Sequence, residues 1–258
     1  MKIVDRLLLT ASCVTAFPIS ARAHDTENLA GLSKYLPAVG LIIAGGLALI
    51  AWLCHLLDAN HMVTGAVLTL GWLAMSGGIH LDGLMDTADG VLSHRSRERM
   101  LEIMQDSRVG NFGVMAGAAV LLIKFACLSA ASLQATFMVA LLVPAWARWT
   151  ETLTIASFPY ARVNGMGKVW RDTTRLPQDV ILAAFIPTLA TVAAALYGGW
   201  QTAIFLSVAT VLSGYTAAYR IWRVLGGQTG DTYGAVVEIS ESGGLLLAAV
   251  LLPMFHSY

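Results

Sequence analysis

The sequence predicts an all-α, polytopic integral membrane helix bundle with about seven spans, each an uncharged run of roughly 20 residues, enough to cross about 30 Å of hydrocarbon. Three observations predict it. The 258 residues are 57% hydrophobic and only 12% charged, whereas about a quarter of a soluble domain is charged. Long apolar runs recur along the whole chain. Lysine and arginine gather in every second connection between those runs, as in membrane proteins whose basic loops stay on one side. No fixed-period repeat or low-complexity linker divides the chain, so residues 1–258 are expected to form a single transmembrane domain. Net charge is zero, with 16 basic and 16 acidic residues, so nucleic acid is not an expected partner.

Taken in order, the opening MKIVDRLLLTASCVTAFPISARA has basic residues, an apolar stretch and a small-residue ARA at 21–23, the outline of a secretory signal. The competing reading is a short membrane-associated segment broken at Pro18 and retained, and the charge distribution farther on favours retention. Spans are expected at about 36–57 and 61–79, joined by the LDAN turn, then at about 114–133, 135–157, 179–197, 201–219 and 243–257. Arg95, Arg97, Arg99 and Arg108 follow the second span, Arg162, Lys168, Arg171 and Arg175 the fourth, and Arg220 and Arg223 the sixth. With Lys2, Arg6, Arg22 and Lys34 ahead of the first span, all the basic segments fall on the N-terminal side, which is expected to be cytoplasmic. Cys13, Cys54 and Cys127 stand singly in apolar surroundings and read as buried inert thiols.

The chemistry concentrates at Gly77–Gly113. Asp82, Asp86 and Asp89 are spaced by four and three residues, which puts three carboxylates on one helical stripe. Like charges one turn apart repel unless a cation sits between them. The stripe, with Asp106 following in QDSRVG, is therefore expected to bind a divalent metal, preferably Mg2+, which takes carboxylates and keeps waters for a phosphate-bearing substrate. The bland alternative is a solvated face neutralised by nearby arginines.

His80 is two residues from Asp82 and should face away from it on an ideal helix; a general-base role and a structural imidazole are both open. His24, His55, His61, His94 and His256 are isolated and receive no role. Lys124, Arg148 and Glu151 lie within apolar runs, where ionisable groups point into a bundle or cavity. Arg148 and Glu151, three apart, are placed to neutralise each other. Lys124 has no local partner, leaving the acidic cluster, a substrate phosphate or snorkelling to an interface as its destinations. The phrase FPYARVNGMGKVWRD offers Arg162, Lys168 and Arg171 beside Gly165 and Gly167, a loop suited to phosphate or to plain charge orientation. GGQTGDTYGAVVEISE supplies Asp231, Glu238 and Glu241, suited to a second metal or a nucleotide ribose.

Four phrases together resemble the cobalamin synthase family, the adenosylcobinamide-GDP ribazoletransferases: GGIHLDGLMDTADG at 77–90, RERMLEIMQDSRVGNFGV at 97–114, PYARVNGMGK at 159–168 and GGQTGDTYGAVVEISE at 226–241. They run in order along nearly the whole chain. The family's N-terminal FxTRxP-type phrase is met only loosely by VTAFPIS at 14–20, with alanine in place of arginine, so no role is assigned to the amino terminus. The resemblance implies a Mg2+-dependent inner-membrane enzyme that joins adenosylcobinamide-GDP to α-ribazole, or its 5′-phosphate, and releases GMP. On that reading Asp82, Asp86, Asp89 and Asp106 hold the metal, and one of them or His80 takes the hydroxyl proton. Arg108 and Lys124 steady phosphate oxygens. Arg162, Lys168, Asp231, Glu238 and Glu241 complete the nucleotide or metal pocket. Whether the chain acts alone, as a homo-oligomer or in a pathway complex stays open.

Three rivals remain. A CDP-alcohol phosphotransferase would carry an alanine–arginine pair where this chain has Ala88–Asp89. An aromatic prenyltransferase would carry a second aspartate-rich motif. A cation transporter would carry its charges through successive spans, whereas here most lie in the long loops of one side.

Overall fold

The computed structural model describes residues 2–16 and 29–252. The ARA phrase, most of the VTAFPIS phrase, Arg22, His24, His256 and the end of the expected last span lie outside them.

Among the described residues the protein is all-helical. In chain order the helices are α1 (Ile3–Val14), α2 (Leu36–Leu56), α3 (His61–Ser76), α4 (Ile79–Val91), α5 (Arg97–Ile103) and α6 (Asn111–Ala130). They continue with α7 (Leu133–Ser157), α8 (Met166–Thr173), α9 (Gln178–Gly198), α10 (Trp200–Leu225) and α11 (Gly230–Leu251). Five segments are long and apolar enough to cross a membrane: Ser33–Leu56, Asn111–Ala130, Gln178–Gly198, Trp200–Leu225 and Gly230–Leu251. The bent pair α3 and α4 makes up to six.

The structure differs from the sequence reading at three of the expected spans. The run at 61–79 ends at Ser76, because Gly77 and Gly78 both take left-handed backbone (φ 65° and 70°). Two successive left-handed residues stop the helix, and α4 restarts at 88° to α3. The expected span at 135–157 is a continuous helix, α7, but does not qualify on apolarity. It carries Arg148, Glu151 and four threonines whose hydroxyls bond back to carbonyls one turn earlier: Thr136 to Ser132, Thr150 to Trp146, Thr152 to Arg148 and Thr154 to Thr150. The span expected at 243–257 begins much earlier, since the GGQTGDTYGAVVEISE phrase is helical from Gly230 onward. Thr229 starts it with a capping box: its hydroxyl accepts from the Thr232 amide, and the Thr232 hydroxyl accepts from the Thr229 amide.

Helix α7 is the central post. It packs against α2, α9, α10 and α11, and Leu142, Val143, Ala145, Ala147 and Arg148 are fully buried. By contrast α9 presents Ile181, Leu182, Phe185, Leu189, Val192 and Leu196 outward, an exposed apolar stripe suited to lipid tails.

The long connections meet at one end. Arg97 donates to the carbonyls of Leu225 and Ala161. The amide of Ala161 donates to the Gln228 carbonyl, and that of Gln228 to Pro159, closing a short parallel bridge at Tyr160 and Gln228. The Gly31 amide donates to the Thr173 hydroxyl, and Lys34 pairs with Asp179 at 3.2 Å. Basic segments scattered over the sequence are thereby gathered on one polar face. The three cysteines are free; Cys54 and Cys127 are buried and Cys13 is half-buried.

The crossing of α2 on α7 depends on Gly40, where an added Cβ would lie 2.6 Å from the Pro144 carbonyl oxygen and 2.8 Å from Ala145 Cα. Those contacts are backbone and cannot turn away. Gly40→Ala is therefore expected to cost about 1–3 kcal/mol by overpacking, read as a lowered thermal midpoint in detergent; an unchanged midpoint would show that the crossing has slack.

Candidate functional site

Helix α4 carries the acidic stripe that its spacing predicts, but the three carboxylates have different surroundings. Asp82 is exposed, while Asp86 and Asp89 are half-buried. The Asp89 oxygens are taken by the start of α6: Oδ2 accepts from the Gly110 amide at 2.7 Å and Oδ1 from the Gly113 amide at 2.8 Å. Asp89 thus caps α6, satisfying amides that a helix start leaves unpaired. Gly113 is required there, since a Cβ would collide with the Asp89 carboxylate.

Asp106 and Arg108 pair with each other in the loop before α6. Arg108 donates Nη2 to Oδ2 at 2.7 Å, and its Nε and backbone amide to Oδ1 at 3.0 Å. These bonds hold the Asp106 carboxyl down at about 2, so it stays charged at any physiological pH. Neither side chain lines the cavity described below.

Asp82 and Asp86 gain a neighbour that spacing alone did not give them. Helices α4 and α11 touch backbone to backbone: a Cβ at Gly83 would lie 2.6 Å from the Asp231 carbonyl oxygen, and one at Gly234 2.9 Å from His80 Cα. Asp231 therefore stands close enough to Asp86 to repel it, as Asp82 does from within α4. Arg162, delivered by the 159–161 to 228 bridge, forms an ion pair with Asp231 at 2.8 Å. Among the described residues no group of three His, Cys, Asp or Glu side chains is gathered as a ready metal cage. The fit to Mg2+ is one of donor chemistry: hard carboxylate oxygens from Asp82, Asp86 and Asp231, beside the open rim of a cavity.

That cavity, about 210 Å³, is enclosed by α1, α4, α7, α8 and the start of α11. Asp82 and Asp231 line it together with His80, Glu151, Trp170 and Tyr233. His80 is buried, and neither ring nitrogen has a hydrogen-bond partner. It lines the same cavity as Asp82, although two residues on an ideal helix should diverge, because the cavity wraps the first turn of α4. Glu151 is buried with Oε2 unpartnered. A buried polar atom left without a bond costs about 1–3 kcal/mol. The sequence reading missed Glu151, Trp170 and Tyr233 as site residues and gave α1 no role. The one available signal was an ionisable residue inside an apolar run.

The remaining candidates turn inward or outward from this cavity. Lys124 on α6 is buried and donates to Glu238 Oε2 at 2.8 Å and Glu241 Oε2 at 2.6 Å, both on α11. Its ammonium lies 4.7 Å from the centre of the Trp72 ring. Arg148 on α7 donates to Glu241 Oε1 at 2.6 Å and to the Pro144 carbonyl. So Arg148 spends its charge on α11, not on Glu151 one turn away, and Glu238 and Glu241 are saturated by cations within the bundle. Lys168 pairs with Asp172 on the exposed side of α8.

An all-helical bundle with several helices apolar enough to cross a membrane, and a largely apolar cavity that opens beside Asp82 and Asp231 at one end, defines a multi-pass membrane protein with an enzyme-like site. The chain matches the family described as cobalamin-5-phosphate synthase over residues 6–249, and it belongs to that family. Curated relatives named adenosylcobinamide-GDP ribazoletransferase bear this out. The one from Roseiflexus sp. (strain RS-1) is 42% identical over 222 residues, 86% of this chain and 80% of that protein. The one from Desulfitobacterium hafniense (strain Y51) is 36% identical over 259 residues, covering 98% of this chain and 99% of the relative. A third, from Thermosynechococcus vestitus, is 37% identical and covers 91% of each chain. The enzyme read from the sequence is the one these relatives are named for. No solved structure matches the chain.

The buried ion cluster makes a stability prediction. Lys124→Met leaves Glu238 charged and unpaired in the bundle and is expected to destabilise by about 3–5 kcal/mol. The double variant Lys124→Met, Glu238→Gln removes that stranded charge and should recover much of the loss, while Arg148 keeps Glu241 paired. Denaturation in detergent reads both; a double variant no more stable than the single would refute the pairing.

Proposed function

We propose that the protein transfers the cobinamide phosphate of adenosylcobinamide-GDP to α-ribazole, or to α-ribazole 5′-phosphate, releasing GMP with the help of Mg2+. The observation that carries this reading is the meeting of Asp82 on α4 with Asp231 on α11 at the mouth of a buried cavity, with Arg162 alongside. Asp82, Asp86 and Asp231 would hold the ion, whose charge offsets that of the pyrophosphate and of the departing GMP. Arg162, ion-paired with the cavity-lining Asp231, would steady a phosphate oxygen.

In the reaction a ribazole hydroxyl oxygen attacks the cobinamide-side phosphorus, and the bond from that phosphorus to the bridging oxygen breaks, so GMP leaves with the electron pair. The hydroxyl proton passes to His80, whose ring nitrogens have no hydrogen-bond partner among the described residues and which lines the cavity with Asp82. Asp89, as the cap of α6, and Asp106, paired with Arg108, support the positions of these groups without touching substrate.

We place the site on the cytoplasmic face of the cell inner membrane. The gathered basic connections at this end support that side under the charge rule. Counting α7 as a crossing restores seven spans: its 25 residues extend about 37 Å at 1.5 Å each, and its charges are compensated by α11.

Membranes containing the protein, given adenosylcobinamide-GDP, α-ribazole and Mg2+, should yield the joined corrinoid and GMP on chromatography. A CDP-alcohol or a prenyl diphosphate should yield no product; turnover of either in place of the cobinamide donor would overturn the reading. Chelation should abolish activity and added Mg2+ restore it. Asp82→Asn is expected to keep its fold, since Asp82 is exposed, and to lose activity about a hundredfold or more; near-normal turnover would remove Asp82 from the metal site.

A further inference from the structure

Four side chains lining the cavity carry buried polar atoms without partners: His80 at both ring nitrogens, Glu151 at Oε2, Trp170 at Nε1 and Tyr233 at its hydroxyl. They are only 3%, 2%, 5% and 3% exposed. Such atoms are almost always satisfied in folded proteins, and here the four residues that carry them, from α4, α7, α8 and α11, stand around one space, their polar atoms tucked just behind its wall. Their chemistry is mixed in a particular way. Trp170 offers a donor only and Tyr233 a hydroxyl donor, both on flat aromatic walls, while the Glu151 oxygen can accept.

Among the described residues no lysine or arginine lines this space, and three carboxylates do: Asp82, Glu151 and Asp231. A phosphate is therefore kept out of the interior and held at the rim, where Arg162 stands. The volume, about 210 Å³, is below the ~300–1,000 Å³ of pockets that enclose drug-sized ligands. It has room for a bicyclic ring and none for a corrinoid or a whole nucleoside diphosphate. Gly167 permits the aromatic wall, because a Cβ there would lie 3.0 Å from the Tyr160 ring and 3.1 Å from the Tyr233 ring.

We propose that this cavity is the acceptor subsite and takes the uncharged aromatic nitrogen heterocycle of the nucleoside. Tyr233 and Trp170 donate to the unprotonated ring nitrogen, and Glu151 accepts from a ribose hydroxyl. The ring lies among α1, α8 and α11, and the sugar emerges at Asp82 and Asp231, where the reacting hydroxyl meets the phosphorus. The assignment deepens the proposed function and rests on it for the identity of the nucleoside.

The test uses the full chain in detergent, with 1-methylbenzimidazole as a probe that has the ring but neither sugar nor phosphate. Equilibrium binding of the probe without any donor substrate should be measurable for the wild type and weakened about tenfold or more in Tyr233→Phe, the factor carried by one hydrogen bond. In turnover the probe should compete with α-ribazole and not with adenosylcobinamide-GDP. Tyr233→Phe and Glu151→Gln should each raise KM for α-ribazole about tenfold with the donor KM unchanged, the latter also certifying an intact fold. If Glu151→Gln does not fold, Tyr233→Phe carries the test by itself. Competition with the donor, a rise confined to the donor KM, or equal probe binding by wild type and Tyr233→Phe would each overturn the subsite. If the wild type makes no GMP from the two substrates, the proposed function fails, while probe binding and its loss in Tyr233→Phe still decide whether the cavity takes the ring.

Discussion

The arrangement hangs on the ion cluster in which Glu241 of α11 receives Lys124 from α6 and Arg148 from α7. Two cations and two carboxylates, with Glu238 as the fourth member, are nearly stripped of water. Each is tolerable there only because the others are in place; remove one and an uncompensated charge remains in a low-dielectric interior. The cluster thereby fixes the depth and rotation of α11 against its two neighbours. A sliding or turning helix would part the pairs, so the ion cluster holds the register of α11 together with the close glycine contacts at Gly234, Gly243 and Gly244.

That register has a consequence at the other end of α11. With Glu241 held in the bundle, Asp231, Gly234 and Tyr233 fall at the polar end, where α4 crosses. The crossing is close because Gly83 and Gly234 bring no side chain to it. The α4 carboxylates thus gain Asp231 as a neighbour, and His80 is pressed beneath the first turn of α11. The left-handed pair Gly77–Gly78 supplies the remaining condition by turning α4 across the bundle end instead of letting it run on as part of α3. The charges of one helix are in this way separated: α11 gives Glu238 and Glu241 to the buried ion cluster and Asp231 to the wall of the cavity.

The same sorting separates the aspartates of α4. Asp89 is spent on the amides of Gly110 and Gly113 and anchors α6, the helix that carries Lys124. Asp82 remains on the cavity, with Asp86 close enough to feel its charge and that of Asp231. The acidic stripe therefore joins α4 to α6 at Asp89 and borders the cavity at Asp82. The aromatic side of the cavity comes from Trp170 and Tyr233, and the loop before α8 is pinned to the segment leading into α11 by backbone bonds between Ala161, Gln228 and Pro159.

Composition, the spacing of apolar runs and the placing of arginines determined by themselves that the chain is a helical membrane bundle, that its polar connections share a side, and that Asp82, Asp86 and Asp89 lie along one helix. Four local phrases were enough to point to the family. These are properties of nearby residues, set by helical period and by the cost of charge in hydrocarbon. The sequence could not show that Arg148 would choose Glu241 over Glu151, that Asp89 would serve as a cap, or that Glu151, Trp170 and Tyr233 would share a cavity with His80. Those outcomes bring together side chains up to 153 positions apart, from His80 to Tyr233. Only the tertiary structure decided them, because which partner a buried charge takes depends on which helices are brought together, and that is settled by the whole packing of the bundle.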